Sequence, residues 1–217
     1  MRATLEPRRL LLAALAVLTV AATAGVPWRP AQAAPDPLAR DSGVNEPVSG
    51  LLPEIMRTMA KVKSSRARFV EKKYLAIVNT PLQYTGGLAY NAPDKLEKRT
   101  ETPKAESMLL EGDKLTLTNA RHQTRVVMLS QYPQVRAFTE SIRSVLAGDM
   151  ATLGRYYGLK AEGSIAQWTL LLTPSDPQMQ SVVQQIRFSG ANHSIRSIEI
   201  TEKQGDRSVM SITEEGP

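Results

Sequence analysis

The chain has 217 residues and no cysteine, with 27 Lys+Arg against 21 Asp+Glu and 5% aromatic residues. Without cysteine there is no disulfide framework, no cysteine nucleophile and no cysteine that could carry a lipid after processing. A formal charge of +6 with so few aromatic residues falls short of the basic stripe and stacking platforms that a nucleic-acid surface needs.

Arg2, Arg8 and Arg9 precede an apolar run from Leu10 to Ala24, and Ala31-Gln32-Ala33 follows as a small-residue cleavage pattern. This is the layout of a secretory signal peptide, and the run is shorter than the roughly 20 residues that span a bilayer. The expected division is a leader over 1–33, a flexible Pro/Asp/Gly/Ser-rich N-terminus over 34–47, and a single domain over 48–217. Removing the leader takes away four basic residues (Arg2, Arg8, Arg9, Arg29) and one acidic residue (Glu6), leaving 23 against 20, or +3. The expected address is the periplasm, beyond the inner membrane.

Val48 to Ser65 reads as a helix with Ser49 as a candidate N-cap, because Leu52, Ile55, Met56, Met59 and Val62 recur at three- and four-residue spacing. Three long strands follow at period 2: Ala67 to Val78, Leu82 to Ala92, and one starting after Pro93. Asn79-Thr80-Pro81 and Ala92-Pro93-Asp94 supply the turns. In the middle strand Gly86, Leu88 and Tyr90 share one face, and the Gly86-Gly87 pair predicts a bend. Ala105 to Gly112, Lys114 to Asn119 and Gln123 to Ser130 extend the meander, with Met108 and Leu110, Leu115 and Leu117, and Val127 and Leu129 each aligned on one face.

Pro133 then opens a helix whose stripe is Val135, Phe138, Ile142, Val145 and Leu146, ending at Gly148. Asp149 caps a short second piece through Tyr156. Strands resume at Tyr157 to Gly163 and at Ile165 to Thr173, where Trp168, Leu170 and Leu172 are aligned. Val182 to Ser189, Ile195 to Thr201 and Arg207 to Glu214 close the chain. The pattern is therefore mainly β, with roughly ten or eleven strands and two or three helical segments. An antiparallel sheet of that length curls into a barrel or half-barrel, and helices on its concave side leave an apolar hollow.

No phosphate loop, nucleophile elbow or histidine pair at metal spacing is present. His122 and His193 stand in polar loop sequence, and Asp113, Asp149, Asp176 and Asp206 stand at turns and caps. The chain is read as a non-enzyme without metal or cofactor. The basic cluster Lys61, Lys63, Arg66, Arg68, Lys72 and Lys73 reads as a solvated face or a rim toward headgroups or a partner.

The order of motifs carries a resemblance. After the leader and amphipathic helix come Ser64-x-x-Ala67-x-Phe69, Gly86-x-Leu88-x-Tyr90-x-x-Pro93, Leu109-Leu110-x-Gly112-Asp113-x-Leu115, a helical insert, and Trp168-x-Leu170-x-x-x-Pro174. Over nearly the whole mature chain this resembles the LolA family, periplasmic carriers of outer-membrane lipoproteins. The resemblance implies an α+β, mainly β fold: an incomplete antiparallel β-barrel with helices lidding an apolar cavity for acyl chains. Three positions depart from the family. Ala92 stands where an arginine before the proline helps latch the lid, Glu71 replaces a glutamine, and Leu96-Glu97-Lys98 lacks the usual third-strand aromatic.

The reading that follows is a carrier shielding the acyl chains of lipoproteins or another lipid on the way to the outer membrane. Its partners would be the cargo, an inner-membrane donor and an outer-membrane acceptor, with the carrier monomeric. The alternative is a sensor or accessory module that binds without net transfer. Leu52, Ile55, Met56 and Met59 are the candidate lid face. Leu88, Tyr90, Met108, Leu110, Leu115 and Leu117 are the candidate sheet lining, with Trp168, Leu170 and Leu172 opposite.

Overall fold

The computed structural model describes residues 50–77 and 79–216. The expected leader, the stretch 34–47 and the candidate cap Ser49 lie outside the described residues.

Helix α1 (Leu51–Met59) buries Ile55, Met56 and Met59 on one side and turns Glu54 and Arg57 outward, as its spacing requires. It is shorter than expected. The N–H groups of Ala60 and Val62 close the last turn on Met56 and Met59 at 2.9 Å each, and the chain leaves as β1 (Ser64–Tyr74). Ser64 and Ser65 face Asn91 and Tyr90 of β2 (Leu82–Asn91). Pairing with the next strand claims residues that helical spacing alone assigns to α1, an example of tertiary context overriding local preference.

The meander continues through β3 (Lys95–Thr102), β4 (Glu106–Glu111), β5 (Lys114–Thr118) and β6 (Thr124–Met128). The last of these ends two residues early, because the Leu129 N–H donates to the Asp113 carbonyl at 2.8 Å and a 3-10 turn follows. Helices α2 (Pro133–Ala147) and α3 (Met150–Tyr156) form the insert. Then come β7 (Tyr157–Ser164), β8 (Gln167–Pro174), β9 (Val183–Ala191), β10 (Ser194–Glu202) and β11 (Arg207–Glu214). A one-turn helix, α4 (Pro177–Gln180), was not foreseen. Asp176 Oδ1 caps it, accepting from the N–H groups of Gln178 and Met179 at 2.9 and 3.0 Å.

All eleven strands make one antiparallel sheet in the order β6-β5-β4-β3-β2-β1-β11-β10-β9-β8-β7. The last strand pairs with the first, so β6 and β7, consecutive in the chain, become the two edges. The insert α2–α3 runs from one edge to the other and so lies across the opening. Each strand is rotated by roughly 20–25° from its neighbour, which curls a sheet of this width without closing it. The fold is the expected α+β, mainly β, incomplete antiparallel barrel. The predicted bend is present where Thr85 faces Thr102 but Gly86 faces Thr100, leaving Glu101 as the extra residue of a bulge. A Cβ at Gly86 would lie 1.9 Å from the Arg99 carbonyl oxygen and 2.9 Å from the Phe69 ring, so glycine is required there.

The helices sit mainly over one half of the sheet, with α1 and α3 against β7 and α4 against β8 and β9. Trp168, Leu170 and Leu172 of β8 and Ile186 and Phe188 of β9 are fully buried there, against Ile55, Met59, Phe138, Leu153 and Met179. The basic cluster needs one correction. Lys61, Lys63, Arg66, Arg68 and Lys72 are exposed, but Lys73 is 3% exposed and lies 4.0 Å from Glu202. Strand alternation decides this, since Lys73 shares the inward parity of Phe69 and Glu71.

Asp149 accepts a hydrogen bond at 2.9 Å from the Thr152 N–H at the start of α3. Hydrogen bonds from Thr152, assisted by the Arg155 charge, hold its carboxyl below the usual aspartate range. Replacing it with alanine should cost about 1 kcal/mol, or roughly 2–4 °C in Tm. A depressed native pKa stabilises the fold above the ordinary aspartate range and loses that effect as pH falls through the native value. The difference between wild type and Asp149→Ala in thermal melts should therefore shrink in acid.

Candidate functional site

A cavity of about 150 Å³ lies over the middle of the sheet. Its walls come from β1–β4 on one side and β10–β11 on the other, two groups of strands that become neighbours only because β11 pairs with β1. Leu88, Leu96, Met108, Ile198, Ile200 and Ile212 line the sheet side. Met59 and Val62 at the end of α1, with Phe138, Ile142 and Leu146 of α2, line the opposite side. The sheet-side residues named here are only partly buried because they face this space rather than a packed neighbour.

The polar residues of the lining are few and are concentrated on β1, β3 and β11. Lys98 Nζ donates to Glu71 Oε2 at 2.5 Å, and the Ser208 hydroxyl donates to Glu71 Oε1 at 2.6 Å. The same ammonium stands 4.9 Å from the centre of the Phe69 ring. Lys73 and Glu202 lie on the adjoining stretch of the inner wall, since Ser208 is the register partner of Lys73. Burial pushes the Glu202 carboxyl up, Lys73 pulls it down, and Asp206 raises it further. At the other end of the β1–β2 pair, Tyr90 is buried, and its hydroxyl has no hydrogen-bond partner among the described residues. Burial, then the Asp94 carboxylate, raises its pKa.

Residues 48–213 match the family model described as "Outer membrane lipoprotein carrier protein LolA-like". The chain belongs to this family. A comparison with curated proteins found no match. Among solved structures, the LolA superfamily protein NE2245 from Nitrosomonas europaea is 13% identical with a TM-score of 0.43, over 78% of this chain and 96% of that one. A putative outer membrane lipoprotein-sorting protein domain from Vibrio parahaemolyticus is 8% identical with a TM-score of 0.41, over 76% and 91%. A chain of the Pseudomonas aeruginosa MucA/MucB complex is 9% identical with a TM-score of 0.41, over 76% of this chain and 57% of that one.

In this LolA-like chain the contacts that join α2 to the sheet and to α1 come from α2 itself and not from residue 92. Ala92 is exposed, and its backbone N–H donates to the Lys63 carbonyl at 2.8 Å. Arg143 of α2 donates to the Gly112 carbonyl in the β4–β5 turn at 3.2 Å and pairs with Glu140. Gly148, just after α2, takes a left-handed backbone with φ 68°. A Cβ there would lie 2.1 Å from the Met56 carbonyl oxygen and 2.7 Å from the Ala60 nitrogen. The end of α2 therefore touches the backbone of α1 directly. Among the described residues, no helix is long and apolar enough to cross a membrane.

Of the residues proposed from sequence, Met59, Leu88, Tyr90, Met108 and Leu110 border the cavity. Ile55, Met56, Leu115, Trp168, Leu170 and Leu172 are buried in the core cluster, with Leu52 and Leu117 packed against it, and none of these borders the cavity. For the β8 residues the reason is position. The β8 strand lies beyond β9 and β10, under the helices, and its inward side chains meet those helices directly. Sequence reasoning missed Leu96, Ile195, Ile198, Ile200, Met210 and Ile212 as lining, although the strands that carry them were recognised. It also missed Glu71 and Lys98 as an ion pair. The signal for that was present in the two charged departures from the family pattern, which stand on β1 and β3, either side of β2, with their side chains on the inner face.

Proposed function

We propose that this protein is a periplasmic carrier that shields acyl chains in the cavity between sheet and lid during transfer toward the outer membrane. The observation that carries the reading is the apolar hollow of about 150 Å³, held open beside an otherwise close-packed interior. Folded domains leave few such spaces, and an apolar one stays dry and takes a hydrocarbon guest. Family membership supports a lipoprotein-binding or carrier-type protein, and delivery from donor to acceptor is the further step proposed here.

Size decides how loading must occur. An apolar cavity of roughly 150 Å³ takes a benzene-sized guest, whereas larger ligands occupy about 300–1,000 Å³. A whole acyl chain therefore requires α1 and α2 to move away from β1–β4. The driving force is ample. Each buried methylene contributes about 0.8 kcal/mol, so a chain of about sixteen carbons is worth on the order of 12 kcal/mol against water. Membrane and cavity are both apolar, so transfer between them is nearly balanced, and lid packing and membrane partners set its direction.

The mature protein, purified from the periplasm, should carry lipid in native mass spectrometry and take up the uncharged dye Nile red. It should also move a fluorescent lipopeptide from donor to acceptor vesicles. Replacing Ile142 of the lid by glutamate places an unpaired carboxylate in the cavity and should weaken dye binding at least roughly tenfold. Binding without vesicle-to-vesicle delivery would make the protein a binding module. Absence of both lipid and dye would remove the carrier reading.

A further inference from the structure

The Glu71–Lys98–Ser208 group is a charged site built into the wall of an apolar cavity. Glu71 is 3% and Ser208 5% exposed, and the Lys98 side chain is 17% exposed. All three border the cavity. A buried ion pair is a poor source of stability, because an apolar replacement of the same shape often serves as well. Its hydrogen-bonding capacity is also only partly used. The ammonium has three N–H donors, of which Glu71 takes one, at 2.5 Å, while the Phe69 ring shields another side at 4.9 Å. The carboxylate accepts from Lys98 and Ser208 and retains lone pairs, as does the Ser208 hydroxyl. The inner wall thus offers both a donor and acceptors to a guest.

Charge narrows the class of guest. Two inward carboxylates border the cavity, Glu71 and Glu214, against one lysine, Lys98, while Glu97, next to Lys98 on β3, pairs its carboxylate with Arg99 instead. The lysine is already neutralised by Glu71, and the neighbouring Lys73 by Glu202. An anionic head brought to Lys98 would add a second negative charge beside Glu71 in a desolvated place, which is strongly unfavourable. A neutral carbonyl with a nearby hydroxyl or N–H meets no such penalty. From Glu71 to Ser65, six residues along β1, the inner wall runs about 20 Å, so a chain anchored at Lys98 has apolar wall to lie along.

We propose that the cavity selects lipids whose acyl chain is in ester or amide linkage to a neutral head bearing a hydroxyl or N–H, and that Glu71, Lys98 and Ser208 hold that linkage. Free fatty acids and phosphate-headed single chains are excluded by charge. This rests on the acyl-carrier reading above and names the substrate class of the same cavity.

The test is competition against Nile red on the folded wild-type protein, near neutral pH. Monopalmitoylglycerol should displace the dye at a concentration at least roughly tenfold lower than palmitate or palmitoyl lysophosphatidic acid. A synthetic dipalmitoylglyceryl-cysteinyl peptide run alongside separates two sources of the same linkage. If it competes better than the acylglycerol, the head belongs to a lipoprotein; the reverse order assigns a free glycerolipid. The double variant Glu71→Gln with Lys98→Met, which leaves no unpaired charge, should reduce the neutral-over-anionic preference to less than about threefold. Ser208→Ala is the milder second variant and should reduce it partly. Equal or better competition by palmitate, or an undiminished preference in the folded double variant, overturns the inference and leaves the carrier reading standing. If the wild type binds neither dye nor any of these lipids, both fall together.

Discussion

Replacing Gly148 by alanine should loosen α1 from the rest of the domain and lower Tm by roughly 5–10 °C, since a few kcal/mol shift a domain of this size by about that much. Two costs combine. The residue has φ 68°, a left-handed conformation that costs an L-residue roughly 1–2 kcal/mol. Its new Cβ would stand 2.1 Å from Met56 O, 2.7 Å from Ala60 N and 2.8 Å from Ala60 Cβ. All three atoms belong to α1 or its cap, and two are backbone, so no rotamer change relieves the contact and α1 must shift. Overpacking of this kind costs about 1–3 kcal/mol more. Because α1 supplies Met59 to the cavity, the shift should be visible as faster amide exchange across Leu51–Met59 and as greater Nile red uptake. Gly154 is the control. It lies in α3 with nothing within 4 Å of an added Cβ, so Gly154→Ala should stabilise by about 0.5–1 kcal/mol through helix propensity and chain entropy. Wild-type melting and unchanged α1 exchange in Gly148→Ala would show that the contact does not hold α1 in place.

The second large effect lies at the ion pair. Lys98→Met should destabilise the protein by about 3–5 kcal/mol, because it leaves a buried carboxylate without its counter-charge. Glu71 would then keep only the Ser208 hydroxyl at 2.6 Å. Adding Glu71→Gln to the same chain should recover most of that loss, since the amide is neutral and still accepts from Ser208. Urea unfolding of the two single variants and the double variant completes a mutant cycle and reads the coupling directly. A Lys98→Met protein as stable as wild type would mean that water reaches Glu71 freely and that the pair is not desolvated. That result would also remove the charge argument against anionic lipids.

Much of the architecture was legible because it rests on local rules. Period-2 alternation placed Trp168, Leu170 and Leu172 of β8 on one face, and all three are buried. Pro133 at the start of α2 and Gly148 in the left-handed conformation after it bound that helix where proline and glycine chemistry demands. Asp149 caps the next helix as its side chain suggests. The errors occurred where a long-range partner competes with local spacing. Val62 continues the stripe of α1, yet the pairing of Ser64 with Asn91 draws the chain into β1 two residues later. Lys73 belongs to a run of basic residues that looks solvated, and only the strand's parity and the presence of Glu202 bring it inside.

Taken alone, the amino-acid sequence determines the strands, their two faces, the helical insert and membership of the LolA-like family, because periodicity, caps and turns act over a few residues. Which strands lie side by side is a choice made across the whole chain. The pairing of β11 with β1 brings Ile198, Ile200, Met210 and Ile212 beside Ala67 and Leu88. It also sets β8 apart, under the helices, where its large side chains are closely packed. Whether an inward apolar residue ends in solid core or beside open space depends on what the curved sheet and its covering helices leave between them. Tertiary structure alone decides that, since a hollow arises from the distance between elements and not from any one element's pattern.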